Sequence, residues 1–500
     1  MKYWFIDFSR PGCYTLLIKT GEHLPYARGC LAYGFFMPAP ERQQQRKRAF
    51  YMRENLKSSA SCRTILTLIH FSLPLILSGI LQQLYNWADA FIVGNVEGEL
   101  ALAAVGSTTT LINFYVNAIT GFTLGLSILF AQKYGNGEHG SLSRILSSFS
   151  VFLGGIFLLL AGVGIGLTAP LLKLLHTTPD TIGLAEEYLR IIFAGIPFLA
   201  VYNVYSAALR GIGDSRAPFY SVLLSSLVNV VLDILFVACF RWNVAGAAIA
   251  TVFSQAAMTL FLTAYSVRKY PLLRFSLRGR LFHREALTDG IHFGFPPMLQ
   301  SSVSSAGSLI LQNFMNGFGS QTVAAVTTAY RVDSVVMLPI INLGSGISTL
   351  TAQQYGAGNQ KEARRIFSAG LFVMSVTALL LTALVIPSGG HLIALFGAGA
   401  EAVSIGERFF RRIAAFYLVY GLSMAVRGYL EGQGDVTYSS FAGIAALAVR
   451  IAASYAFVSL FGNMIIALAE GFSWAVLLLL YITRLLWRER RIPPSPPDPF

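Results

Sequence analysis

From about residue 64 the chain is a succession of long apolar runs separated by short polar segments. Each run is long enough for the roughly 20 residues that a helix needs to cross a bilayer. Six runs fall at about 64–93, 100–130, 142–168, 181–207, 216–239 and 244–267. Six more fall at about 289–315, 321–350, 366–388, 404–427, 435–460 and 463–486. The pattern predicts an all-α polytopic membrane protein of about twelve transmembrane helices. It divides into an N-terminal tail (1–63), a first six-helix lobe (64–267), a basic linker (268–288), a second six-helix lobe (289–487) and a C-terminal tail (488–500). The N-terminal tail holds a polar string from Glu41 to Arg48, and no apolar stretch follows a charged start as in a signal peptide. It reads as a disordered cytoplasmic tail, or as sequence upstream of a true start at Met52. The run Pro493-Pro494-Ser495-Pro496-Pro497 cannot be helical.

Composition sharpens this reading. Hydrophobic residues make up 54% of the chain and charged residues 12%, against about 25% charged in a soluble domain. The mean hydropathy is +0.59. So few charges cannot solvate a soluble surface, whereas lipid requires an apolar one. A net charge of +13 would raise nucleic acid as a partner in a soluble protein. Here the basic residues crowd the two tails, the linker and alternate loops. Only Lys173, Arg190, Arg241, Arg408, Arg411 and Arg412 fall in the opposite set. Positive charge marks the cytoplasmic side, so both termini are expected in the cytoplasm, with the bilayer and not nucleic acid as the partner. The four cysteines, Cys13, Cys30, Cys62 and Cys239, have neither metal nor disulfide spacing. His70, His176, His283, His292 and His391 are scattered, and no metal site is expected.

A shift of 221 residues lays one half of the chain on the other. Ala103-Ala104-Val105 falls on Ala324-Ala325-Val326, and Gly125, Gln132, Tyr134 and Gly135 fall on Gly346, Gln353, Tyr355 and Gly356. Leu209, Gly211, Gly213 and Asp214 fall on Leu430, Gly432, Gly434 and Asp435. Shared apolar bias does not put Gln, Tyr, Gly and Asp in register. Six spans per half is an even number, so the halves are parallel repeats, and two such bundles can rock about a central cavity. The Gly-Ile-Gly-Asp turn at 211–214 lacks the strand and the Lys-Ser/Thr of a nucleotide loop and reads as a cytoplasmic turn.

These motifs carry a family resemblance. Gln83-Leu84-Tyr85-Asn86-Trp87-Ala88-Asp89, Ala131-Gln132-Lys133-Tyr134-Gly135, Leu209-Arg210-Gly211-Ile212-Gly213-Asp214, Arg331-Val332-Asp333 and Ala352-Gln353-Gln354-Tyr355-Gly356 occur in order and in duplicate. Over about residues 64–487 the chain resembles the multidrug and toxic compound extrusion (MATE) family, its bacterial members above all. The resemblance implies two six-helix lobes forming a V. It also implies antiport in which inward H⁺ or Na⁺ drives export of cationic, amphipathic organic compounds across the bacterial inner membrane. The single chain is expected to be the functional unit, with no cofactor beyond the coupling ion.

Charges inside apolar runs cost about 2.5–3.5 kcal/mol at a helix centre and are functional candidates for that reason. Asp89 lies late in the first span and Asp233 in the fifth. Asn229 is one helical turn before Asp233 on the same face, and Thr251 lies in the sixth span. Such oxygens suit Na⁺, and a desolvated carboxylate pair can equally carry a proton. Asp89, Asn229, Asp233 and Thr251 also match the family's first-lobe cation-site pattern. The second lobe departs from it. After Pro296-Pro297 the seventh span holds no acid, and its polar candidates are Asp333, Arg450 and Glu470. Arg450 stands at the repeat position of Asn229, and Glu470 or Asp333 could neutralise it. A lipid-linked precursor flippase is the alternative transporter reading. It ranks second because only Arg450 looks deep, while a pyrophosphate needs a cationic cavity. A membrane enzyme would need a convergent catalytic set, and none is visible. A channel fits the hydropathy, but duplicated lobes favour rocking transport.

Overall fold

The computed structural model describes residues 39–491, apart from 176, 276–282, 395, 396 and 398. The first part of the expected N-terminal tail with Cys13 and Cys30, the centre of the linker, His176 and the proline-rich end therefore lie outside the described residues. The first half is built from α1 (Ala39–Val96), α2 (Glu99–Gly135), α3 (His139–Leu174), α4 (Pro179–Gly211), α5 (Arg216–Asp233) and α6 (Asn243–Lys269). The second half holds α7 (Arg284–Asn316), α8 (Ser320–Val336), α9 (Leu338–Gly356), α10 (Gln360–Ala394), α11 (Ala400–Ile413), α12 (Tyr417–Gly432), α13 (Val436–Ala456), α14 (Val458–Phe461) and α15 (Ile465–Arg491).

α1 begins at Ala39, well upstream of the expected 64, so part of the expected disordered tail is helical. Pro40 sits in its first turn, where a missing N–H costs nothing, and the Gln-, Arg-, Lys- and Glu-rich run that follows favours helix. Its segment Ser61–Val96 is long and apolar enough to span.

The repeat is visible in where helices stop. α2 and α9 end at Gly135 and Gly356, α4 and α12 at Gly211 and Gly432, each pair 221 residues apart. The lipid-facing positions repeat as well: Leu158 and Leu159 of α3 are exposed, and so are their counterparts Leu379 and Leu380 of α10. The repeat is broken where proline intervenes. α2 is continuous, but its counterpart is divided into α8 and α9 around Met337, because Pro339 in the first turn of α9 supplies no N–H.

Each lobe has its own aromatic-rich core. Phe122, Phe130, Phe149 and Phe193 centre the first, and Phe409, Phe410, Tyr417 and Met374 the second. The leading helices cross over. Leu68, Phe71 and Leu75 of α1 pack with Ile340, Leu343 and Ile347 of α9, while Gly290 and Gly294 of α7 lie against Phe149 and Phe122. Among the described residues eleven helical segments are long and apolar enough to cross a membrane. α7 is 33 residues long but less apolar, because Gln300, Ser301, Ser304, Ser305 and Ser308 line a cavity between the lobes rather than lipid.

Candidate functional site

Three of the four first-lobe candidates, Asp89, Asn229 and Asp233, fall in one buried polar neighbourhood. Asn229 and Asp233 are fully buried on α5, and Asp89 is half-buried on α1. The amide oxygen and nitrogen of Asn229, both carboxylate oxygens of Asp233 and Oδ1 of Asp89 are shut off from solvent. Among the described residues none of these atoms has a hydrogen-bond partner. Asp89 and Asp233 act on each other electrostatically, and Tyr85 and Tyr188 sit within the field of both. Buried polar groups are normally satisfied, so this cluster of orphans has the chemistry of a site that takes a proton or a hard cation.

Local backbone shapes the same spot. Asp233 is the last regular residue of α5, and the next turn is wide. The Phe240 N–H donates to the Leu235 carbonyl and the Trp242 N–H to the Phe236 carbonyl, both at 2.9 Å. Such widened turns recur at functional sites. Arg241 and Asn243 then take the left-handed conformation, and the Asn243 side chain accepts from the Val244 N–H at 2.7 Å. Thr251 stands half-buried on α6, its carbonyl taking the Ser254 hydroxyl at 2.8 Å. No hydrogen bond ties Thr251 to the acids among the described residues.

Between the lobes lies a cavity of about 450 Å³. It is lined by the serine face of α7 and by Asn117, Asn342, Arg210, Arg427 and Glu431. At one end the lobes are closed by two symmetric contacts. Gln132 Nε2 donates to the Gly432 carbonyl at 3.0 Å, and its repeat partner Gln353 donates to the Gly211 carbonyl at 2.7 Å. Gly135 and Gly356 lie beside them, and a Cβ on either would meet the carbonyl of Gln353 or Gln132 under 3.0 Å away. The duplicated glycines and glutamines are thus the packing surface on which the lobes meet.

A family model described as MatE matches residues 74–235 and 296–456, one match in each half. The chain belongs to the MATE family. It is 30% identical over 368 residues to the probable multidrug resistance protein YpnP of Bacillus subtilis (strain 168), covering 73% of this chain and 82% of that protein. It is 24% identical over 413 residues to the multidrug export protein MepA of Staphylococcus aureus (strain NCTC 8325 / PS 47), covering 82% and 90%. A solved outward-facing conformation of a multidrug resistance MATE family transporter of the MOP superfamily shares the fold. Its TM-score is 0.79 at 22% identity, over 86% of this chain and 96% of that one.

In this MATE protein the second lobe carries a different polar cluster. Arg450 Nη2 pairs with Glu470 Oε2 at 2.8 Å and donates to the Tyr330 hydroxyl at 2.9 Å. Asp333 instead accepts from the Tyr417 hydroxyl at 2.6 Å. The cluster holds two acids and one guanidinium, beside a cavity of about 220 Å³ lined by Tyr330, Arg450 and Glu470.

The duplicated Gly-x-Gly-Asp turns are anchors. Gly213 and Gly434 have φ of +96° and +90°, which a side chain would strain. Asp214 accepts from the Arg216 and Ala217 N–H groups at 3.1 Å each, capping α5, and pairs with Lys269 at 3.2 Å. Asp435 is gripped by Arg484 at 2.6 Å and Arg488 at 3.3 Å. Each turn therefore ties itself to the end of its lobe's last helix. Burial disfavours the charged form of Asp214, but hydrogen bonds from Tyr270, the Ala217 N–H and Lys269 outweigh it and hold its carboxyl below the usual carboxylate range.

The expectation that only Arg450 is deep is corrected by the cavity. Loop charge alone places Arg210 and Arg427 on the cytoplasmic side, yet both line the space between the lobes. Both sit near helix ends, where sequence alone does not separate a loop charge from a cavity charge. Arg427 Nε pairs with Glu431 Oε1 at 2.7 Å, whereas Arg210 has no carboxylate partner among the described residues, and its Nε is buried without a partner.

Proposed function

We propose that this MATE transporter is a secondary antiporter that exports amphipathic organic compounds in exchange for inward H⁺ or Na⁺, by rocking-type alternating access. The observation that carries the reading is the unsatisfied set of Asp89, Asn229 and Asp233 in the first lobe. An isolated carboxylate in hydrocarbon is costly, so loading the set with H⁺ or Na⁺ neutralises charge that the surrounding helices do not. α4 links this set to the cargo cavity. Tyr188 lies near the acids and Arg210 lines the cavity, about 33 Å apart along the helix at 1.5 Å per residue. Pro197, between them, removes a hydrogen bond at which α4 can bend. Loading at one end of α4 can in this way bias the lobe packing at the other. The membrane is the bacterial inner membrane, with both termini cytoplasmic, so the closed end at Gln132 and Gln353 faces the cytoplasm.

Dye export by energised inverted vesicles tests this, with an imposed pH gradient compared with an imposed Na⁺ gradient. One gradient should drive export in the wild type, and Asp89→Asn and Asp233→Asn should each abolish the driven component at normal membrane levels. Wild-type rates in both variants would refute the site. The second reading, a lipid-linked precursor flippase, gains from Arg210, which has no carboxylate partner among the described residues. It is weakened because Glu431 neutralises Arg427, leaving one net positive charge for a pyrophosphate.

A further inference from the structure

The interlobe cavity has the wrong chemistry for an aromatic cation. Organic cations are held by carboxylates and by the faces of aromatic rings. Among the described residues lining this cavity there is no aromatic ring, and its acid, Glu431, is already paired with Arg427 at 2.7 Å. The remaining polar lining is hydroxyl and amide, the α7 serines with Asn117, Asn342 and Gln300, and it alternates with the apolar side chains of Leu124, Pro297, Ile341 and Met424. Gln300 Oε1 also accepts from Arg427 Nη2 at 3.3 Å, which completes the neutralised pair. Arg210 is the group left over. It lines the same cavity, and among the described residues it has no carboxylate partner and its buried Nε has no hydrogen-bond partner. The lining therefore sums to one positive charge, located at Arg210.

We infer that the cargo held between the lobes carries an acidic group, a carboxylate or phosphate, on an amphipathic, drug-sized body, and that Arg210 anchors that group. This deepens the antiport reading and rests on it for the direction of transport. A guanidinium is a planar, permanently charged fork that matches an oxyanion with two parallel hydrogen bonds, and it repels a cation. The volume of about 450 Å³ lies within the usual range for small-molecule sites. Hydroxyl and amide side chains can both donate and accept, and Leu124, Ile341 and Met424 offer apolar surface, so the lining accommodates varied amphipathic bodies around one fixed charge. The anchor is separate from the coupling-ion set of Asp89, Asn229 and Asp233, none of which lines this cavity. Cargo and coupling ion can therefore be bound together, and competition between them acts through lobe packing rather than through a shared carboxylate.

Equilibrium binding to the full chain in detergent tests the inference without any gradient, so its outcome is independent of whether antiport is correct. The probes are carboxyfluorescein, an anion, and ethidium, a cation, read by fluorescence polarisation. Carboxyfluorescein should bind the more tightly. Arg210→Ala should weaken it about 10-fold or more, the scale of a charge-assisted hydrogen bond, and Arg210→Lys should restore part of the loss. Glu431→Gln frees a second guanidinium and should tighten carboxyfluorescein binding, a gain that misfolding cannot produce. Benzoate and phenyl phosphate as competitors separate the two acid classes, and displacement by either supports the inference. Tighter binding of ethidium, displacement by neither acid, or no gain in Glu431→Gln would overturn it.

Discussion

A single methyl group at the lobe contact should move the transport equilibrium. Gly135 of α2 faces the Gln353 carbonyl, and Gly356 of α9 faces the Gln132 carbonyl. A Cβ on either lies under 3.0 Å from that oxygen, where ordinary contact needs at least 3.4 Å. The obstacle is backbone, which cannot swing aside as a side chain can, so the two helices must separate. The glutamine bonds to Gly432 and Gly211, at 3.0 and 2.7 Å, span the same gap and are lost with it. At about 0.5–1.5 kcal/mol each, losing both costs the closed state about 1–3 kcal/mol, a shift of roughly 5–150-fold. The assay is maleimide labelling of Ser345→Cys, a cavity position, in a cysteine-free protein, applied from the side on which Gly135 lies. Labelling should be slow in the parent and faster by that factor in Gly135→Ala/Gly356→Ala. Gly106→Ala is the control, because nothing lies within 4 Å of its added methyl. Unchanged labelling and melting temperature in the double variant would refute the argument that these glycines hold the lobes together.

Arg450→Ala leaves Glu470 buried without its cation and should lower stability by about 3–5 kcal/mol in detergent melts. Adding Glu470→Gln should recover most of that loss and adding Asp333→Asn should not, because Asp333 is held by Tyr417. The reverse pattern of rescue would show the pairing to be wrong. The depressed pKa of Asp214 makes its anchor a stabilising element above the ordinary carboxylate value of 3.8, lost only as pH falls through the lower folded value. Asp214→Asn should therefore melt earlier than the parent at neutral pH, and the two curves should converge in strong acid. A gap that persists there would mean the carboxylate charge is not what stabilises the turn.

Twelve spans and their duplication are legible in the sequence because lipid demands long apolar runs and the repeat aligns Gln132 with Gln353 and Gly135 with Gly356. The division of one span into α8 and α9 is also written there, at Pro339, but the apolar run continues through it and hydropathy is blind to a missing N–H. Two features pull against the pattern for one reason. α7 falls short in hydropathy and α12 carries Arg427, since each has a face turned to a polar cavity between the lobes. A hydropathy profile averages over all faces of a helix. It therefore reports lipid contact well and a one-sided polar lining poorly.

The same logic separates the two sets of ionisable residues. Asp89, Asp233, Arg450 and Glu470 interrupt apolar runs, where a charge stands out against its neighbours. Arg210 lies one residue before the end of α4, and in sequence it is indistinguishable from the arginines of the polar loops. Its counterpart 221 residues on is Glu431, so the repeat itself replaces a cation with an acid at the cavity. Aligning the two halves of the chain is enough to expose that substitution, but it gains meaning only because both side chains face one space. Glu431 is then consumed by Arg427 four residues earlier on the same helix, while the opposite wall keeps a guanidinium with no carboxylate partner among the described residues. The asymmetry follows from the duplication. Two equal halves build the cavity, and a difference at one repeated position sets the sign of the charge that a bound molecule meets.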